Sequence, residues 1–114
     1  MKKIILIIFI FICAGTSSYA YDNGIGVFAY SGQSKQEFVN VNSYCEIYFR
    51  CSATPGFGNI YDGYAYLKHG GALIHSFTLG GASTSVKYSG YWNTLEVGIS
   101  CGSNGTIGLA ELMW

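Results

Sequence analysis

From Val39 to Cys51 the side chains alternate in character. Val39, Val41, Ser43, Cys45, Ile47, Phe49 and Cys51 share one parity, and Asn40, Asn42, Tyr44, Glu46, Tyr48 and Arg50 the other. A period of two sustained over this length belongs to a strand with one apolar and one polar face, and a helix could not bury it. A bend is expected near Asn42-Ser43. A strand this long needs partners on both flanks, so the segment commits the chain to a sheet, and the rest of the sequence agrees. There are 16 glycines, ten tyrosines and a single proline, a composition suited to strands joined by tight turns.

Turn signals divide the chain. Strands are expected over Ile25 to Ser31, Phe38 to Cys51, Ile60 to His69, Ala72 to Leu79 and Thr84 to Ser89, with a final hairpin from Trp92 to Trp114. Gly70-Gly71 and Asn104-Gly105 are two-residue hairpin turns in this reading. The second of them would set Leu95 opposite Trp114, Val97 opposite Leu112, Ile99 opposite Ala110 and Cys101 opposite Gly108. The expected fold is all-β, a small antiparallel sandwich or barrel of about seven strands, rich in hairpins and closed by one disulfide.

The chain begins with Lys2-Lys3, an apolar run from Ile4 to Ala14, and small residues at Ser18 and Ala20. That order is a secretory signal cleaved after Ala20. It assigns residues 1–20 to the signal and residues 21–114 to a single β domain, secreted or periplasmic in a bacterium. No other run approaches the roughly 20 apolar residues of a membrane helix. Residues 21–114 carry Lys35, Arg50, Lys68 and Lys87 against Asp22, Glu37, Glu46, Asp62, Glu96 and Glu111. A net negative domain lacks the basic stripe of a nucleic-acid binder.

Cys45, Cys51 and Cys101 remain after cleavage, in a compartment that permits disulfides. Along one strand Cys45 and Cys51 would lie about 20 Å apart, too far to bridge. The expected pair is therefore Cys51 with Cys101, the alternative Cys45 with Cys101. The cysteine and histidine spacings match no zinc pattern, so neither metal nor cofactor is expected.

If Gly70-Gly71 close a hairpin, Tyr66 falls opposite His75 and Tyr64 opposite Phe77. One face then carries Asp62, Tyr64, Tyr66, Lys68 and His75, and the other Ala65, Leu67 and Ile74. Flat rings beside hydrogen-bonding groups suit a glycan or a protein surface. Tyr88, Tyr91 and Trp92, preceded by Lys87, form a second cluster, with Trp92 expected outward because its parity is opposite to that of Leu95, Val97 and Ile99. No Gly-x-Ser-x-Gly elbow, His-Glu-x-x-His helix or phosphate-binding loop is present. The expectation is binding rather than catalysis, of a surface glycan or a secreted or periplasmic protein, as by a host-binding subunit, an inhibitor or an immunity protein.

Thr106 to Trp114 alternates and ends on an aromatic residue, which resembles the terminal strand of outer-membrane barrels and of some pilus subunits. Residues 21–114 are too few for an eight-stranded membrane barrel. The second reading is thus a structural or assembly subunit, a homo-oligomer joined through edge strands as a fibre, a ring or an outer-membrane-associated layer.

Overall fold

The alternating segment is one uninterrupted strand. In the computed structural model, which describes residues 21–114, the elements are β1 (Gly24–Ala29), β2 (Ser34–Thr54), β3 (Gly63–His69), β4 (Ala72–Thr78), β5 (Thr84–Cys101) and β6 (Ile107–Met113). A single 3-10 turn, Phe57–Asn59, interrupts the loop between β2 and β3. The expected signal lies outside the described residues.

All the pairings are antiparallel, in the order β1-β6-β2-β5-β3-β4. The two long strands fold this sheet onto itself. Ser43 to Cys51 of β2 pair with Thr84 to Trp92 of β5, while Ser34 to Asn40 pair with Thr94 to Ser100. The ladder shifts between Asn40 and Ser43, where Asn42 takes a φ of 50°, so the expected bend is a bulge. On one side of it β6 and β1 join the second half of β2. On the other side β3 and β4 join the second half of β5. The result is two layers sharing one central pair of strands.

The layers pack face to face. Phe49 of β2 stacks on Phe77 of β4, with centroids 5.3 Å apart and planes at 20°. The Cys101 thiol donates to the Ala29 carbonyl at 3.5 Å. Ile47, Phe49 and Leu112 from one layer meet Leu67, Leu95, Val97 and Ile99 from the other, all of them fully buried. Arg50 and Glu111 lie on the outer face instead, Nε donating to Oε1 at 2.7 Å. Burial works against the Arg50 charge, but Glu111 outweighs it and raises the guanidinium pKa.

Several expectations need correction. There are six strands among the described residues rather than about seven, because Gly90 does not break β5 and the segments on either side of it are continuous. The Trp92 to Trp114 hairpin does not form as a ladder: β6 lies between β1 and β2. Only Gly105 of the Asn104-Gly105 pair takes positive φ. A type I′ hairpin needs it at both positions, and here the turn carries the chain from one layer to the other. Gly70 and Gly71 both take positive φ and do close the hairpin of β3 and β4.

The disulfide is not formed, since Cys45, Cys51 and Cys101 are all free. The register explains this: Cys51 faces Thr84 and Ala110, Cys45 faces Gly90, and Cys101 faces Gly63. No cysteine has another opposite it. Burial pushes the Cys51 and Cys101 thiols up. In the native protein iodoacetamide should therefore label half-buried Cys45 first, with Cys51 and Cys101 reacting only on unfolding; a disulfide-linked peptide in a non-reducing digest would contradict the register. Phe49→Ala should cost about 3–5 kcal/mol in chemical denaturation, as a fully buried aromatic side chain that leaves a cavity.

Candidate functional site

The outer face of the layer containing β3 and β5 is built by setting large residues opposite small ones. Along β3 and the residue before it, the outward positions are Asp62, Tyr64, Tyr66 and Lys68. Along β5 and the residue after it they are Gly102, Ser100, Gly98 and Glu96, with Tyr64 facing Ser100, Tyr66 facing Gly98 and Lys68 facing Glu96. The Asp62 carboxylate lies over Gly102, where a Cβ would stand. Ser34, Gln36 and Phe38 of β2 continue the rows beyond Ser100, Gly98 and Glu96.

Tyr66 is the centre of this face. Its ring lies across Gly98 so closely that a Cβ there would come within 2.1 Å of Cζ. The hydroxyl donates to Glu96 Oε2 at 2.8 Å, and the Lys68 ammonium sits 5.2 Å from the ring centroid. Tyr64 leans beside it, centroids 6.3 Å apart at 33°, and is about half exposed, as is Phe38. The outcome is a held ring with the Lys68 ammonium over it, the solvent-facing Tyr64 tilted beside it and the Glu96 carboxylate at its hydroxyl, while Asp62 stands further along the same face at Gly102.

Burial, then the hydrogen bond to the Glu96 carboxylate, pushes the Tyr66 phenol up to about 12. Both effects favour the neutral phenol in the folded state. The stability this contributes is complete below the ordinary tyrosine value near 10 and is lost as pH rises through about 12.

His75 does not belong to this face. A register shift between Leu67 and Lys68 sets Tyr66 opposite Ser76 and His75 opposite Leu67. That slip of one residue turns the imidazole inward, where Nδ1 meets the Tyr88 hydroxyl at 2.9 Å and the ring packs edge-on against Phe77. Asp62, Tyr64, Tyr66 and Lys68 stay together as expected.

The second expected cluster is divided. Trp92 is buried, 8% exposed, with Nε1 donating to the Cys45 carbonyl at 3.0 Å and His69 edge-on to it. Trp92 is inward despite its parity because the sheet turns from one layer to the other between Trp92 and Leu95, and the inward side changes with it. Tyr88 also points inward, to His75. Only Tyr91 is outward, and its neighbour is Tyr44, ring centroids 5.1 Å apart and edge-to-face. Tyr44 is 80% exposed. Sequence reasoning missed Glu96, Gly98, Phe38 and Tyr44 as parts of these faces. The alternation Glu96, Gly98, Ser100, Gly102 was the available signal, since small outward residues on a central strand mark where a neighbour's large side chains lie.

No family model matches the chain, and no curated protein sequence does. Solved structures do. The pre-peptidase C-terminal domain of a collagenase from Bacillus anthracis aligns with a TM-score of 0.54 at 12% identity, over 77% of this chain and 88% of that one. The Yersinia pseudotuberculosis-derived mitogen aligns with a TM-score of 0.52 at 14% identity, over 80% and 84%. A β-glucosidase from Paenibacillus barengoltzii gives 0.51 at 13% identity, over 79% of this chain and only 10% of that one. At such identities the likeness is one of fold, an all-β domain. Among the described residues no helix is long and apolar enough to cross a membrane, and no group of three or more His, Cys, Asp or Glu side chains could hold a metal ion.

The Tyr66 environment is open to a direct check. In a spectrophotometric titration one tyrosine should ionise about two pH units after the exposed ones. Gly98→Ala should lift the ring, break the bond to Glu96 and bring that tyrosine back toward 10; an unchanged late transition would show that Tyr66 is not its source.

Proposed function

We propose that the chain is an exported, non-enzymatic binding protein that holds a neutral glycan on the outer face of β3 and β5. One observation carries this reading: Tyr66 is fixed flat over Gly98 by Glu96, so an aromatic platform stands ready without ordering a side chain on binding. The apolar face of a pyranose ring stacks on such a platform, and its hydroxyls find acceptors in Asp62 and Glu96 and a donor in Lys68. Two carboxylates against one ammonium favour an uncharged sugar over an acidic one.

Both histidines serve the fold in this reading. His69 Nε2 accepts from the Asn93 N–H at 3.0 Å, and His75 is tied to Tyr88 between the layers. A protein partner, the second reading, is favoured by the exposed Tyr44 and Tyr91 on the opposite layer, since tyrosines are common interface anchors.

A glycan array followed by calorimetry on the best hit tests the proposal. Tyr66→Ala should weaken binding by about tenfold or more, the loss expected of a central aromatic anchor, while Tyr91→Ala leaves it unchanged. Loss with Tyr91→Ala alone would move the site to the other layer, and retention in both variants would end the aromatic-face reading.

A further inference from the structure

The first half of β2 has an open flank. Ser34 to Asn40 pair with β5 on one side, whereas β6, the other neighbour of β2, reaches only Tyr48 to Thr54. No described strand covers the remaining edge, and every residue of this stretch except Val39 is exposed. The Cys101 N–H donates to the Gln33 carbonyl at 2.9 Å, which sets the phase of the ladder. Antiparallel strands alternate between bonded and non-bonded positions, so odd residues bond toward β5. The N–H and C=O groups of Ser34, Gln36 and Phe38 turn outward, with no strand to pair with among the described residues.

We infer that two copies of this chain join antiparallel through this edge, centred on Gln36, with Lys35 of each copy facing Glu37 of the other. The register follows from two conditions. Outward-bonding residues must meet outward-bonding residues, so facing residues share a parity and the two-fold axis lies beside one residue between Ser34 and Phe38; centred on Lys35 or on Glu37, like charges meet. Centred on Ser34, Lys35 meets Gln33; centred on Phe38, Glu37 meets Val39. Centred on Gln36 alone, each Lys35 meets a Glu37, and it does so twice. These are non-hydrogen-bonded pairs, where Cα atoms approach to about 4.5 Å and side chains lie closest.

A charge facing inward on an edge strand ordinarily blocks pairing. Here the opposite charge two residues on makes the edge complementary to itself in one register. Neither Lys35 nor Glu37 is in an ion pair among the described residues, so both are available to the second copy. The two-fold axis stands perpendicular to the sheet, and the four-stranded layers merge into one of eight strands. Both Tyr66 platforms then face the same way, five strand spacings or about 24 Å apart. This pairing is independent of what the platforms bind, and it makes the assembly bivalent.

Sedimentation equilibrium of the exported protein, run up to its highest soluble concentration, tests the inference. The wild type should dimerise, Glu37→Lys should weaken the dimer by about tenfold or more, and the exchange Lys35→Glu with Glu37→Lys should restore it. Both side chains are exposed, so circular dichroism should be the same for all three proteins. A wild type that stays monomeric, a dimer indifferent to Glu37→Lys, or an exchange variant that fails to re-associate would each overturn the pairing.

Discussion

The structure depends on the ladder between β2 and β5. Among the described residues it is the only pairing that runs through both layers: β6 joins the second half of β2 and carries β1, and β3 joins the second half of β5 and carries β4. The bulge between Asn40 and Ser43 lets a single pair of strands change layer without ending. An extra residue with Asn at positive φ costs little at that point, and in return Ile47 and Phe49 are brought face to face with Leu67, Leu95 and Phe77. The apolar core is a consequence of where that ladder folds.

Much of this was legible before the structure. The alternation from Val39 to Cys51, the bend beside Asn42, the Gly70-Gly71 turn and the grouping of Asp62, Tyr64, Tyr66 and Lys68 are all local, and period and turn chemistry report local structure. The failures share one cause, which is that parity is a statement about a strand and not about a layer. Trp92 and Leu95 lie on one strand, yet they are buried on opposite parities because the sheet folds between them. His75 is lost to the outer face through a single register shift. The expected disulfide rested on placing Cys51 and Cys101 by strand ends, and the crossing of β6 between β1 and β2 gives each thiol a different neighbour.

The outer face of β3 and β5 shows how a surface aromatic can be made rigid without burial. Gly98 removes the side chain that would push the ring away, and Glu96 fixes the hydroxyl. The Lys68 ammonium lies over the ring and Tyr64 leans beside it. Gly98 and Glu96 come from pairing β3 with the far half of β5, so the platform depends on that ladder being formed. Tyr44 and Tyr91, by contrast, touch mainly each other, and their exposure reflects an outer face with no glycine seat.

The pairing of β1 with β6 joins the two ends of the described chain, Gly24 facing Met113 and Ala29 facing Gly108, with Asn23 and Trp114 exchanging two further backbone hydrogen bonds. A sheet whose first strand is held by its last cannot close while the chain is still emerging. Contacts of such sequence separation form late and slowly, so the apolar residues of β1 and β2 must wait, uncovered, for the seven residues of β6. The order of synthesis thus keeps this sheet open until β6 has emerged.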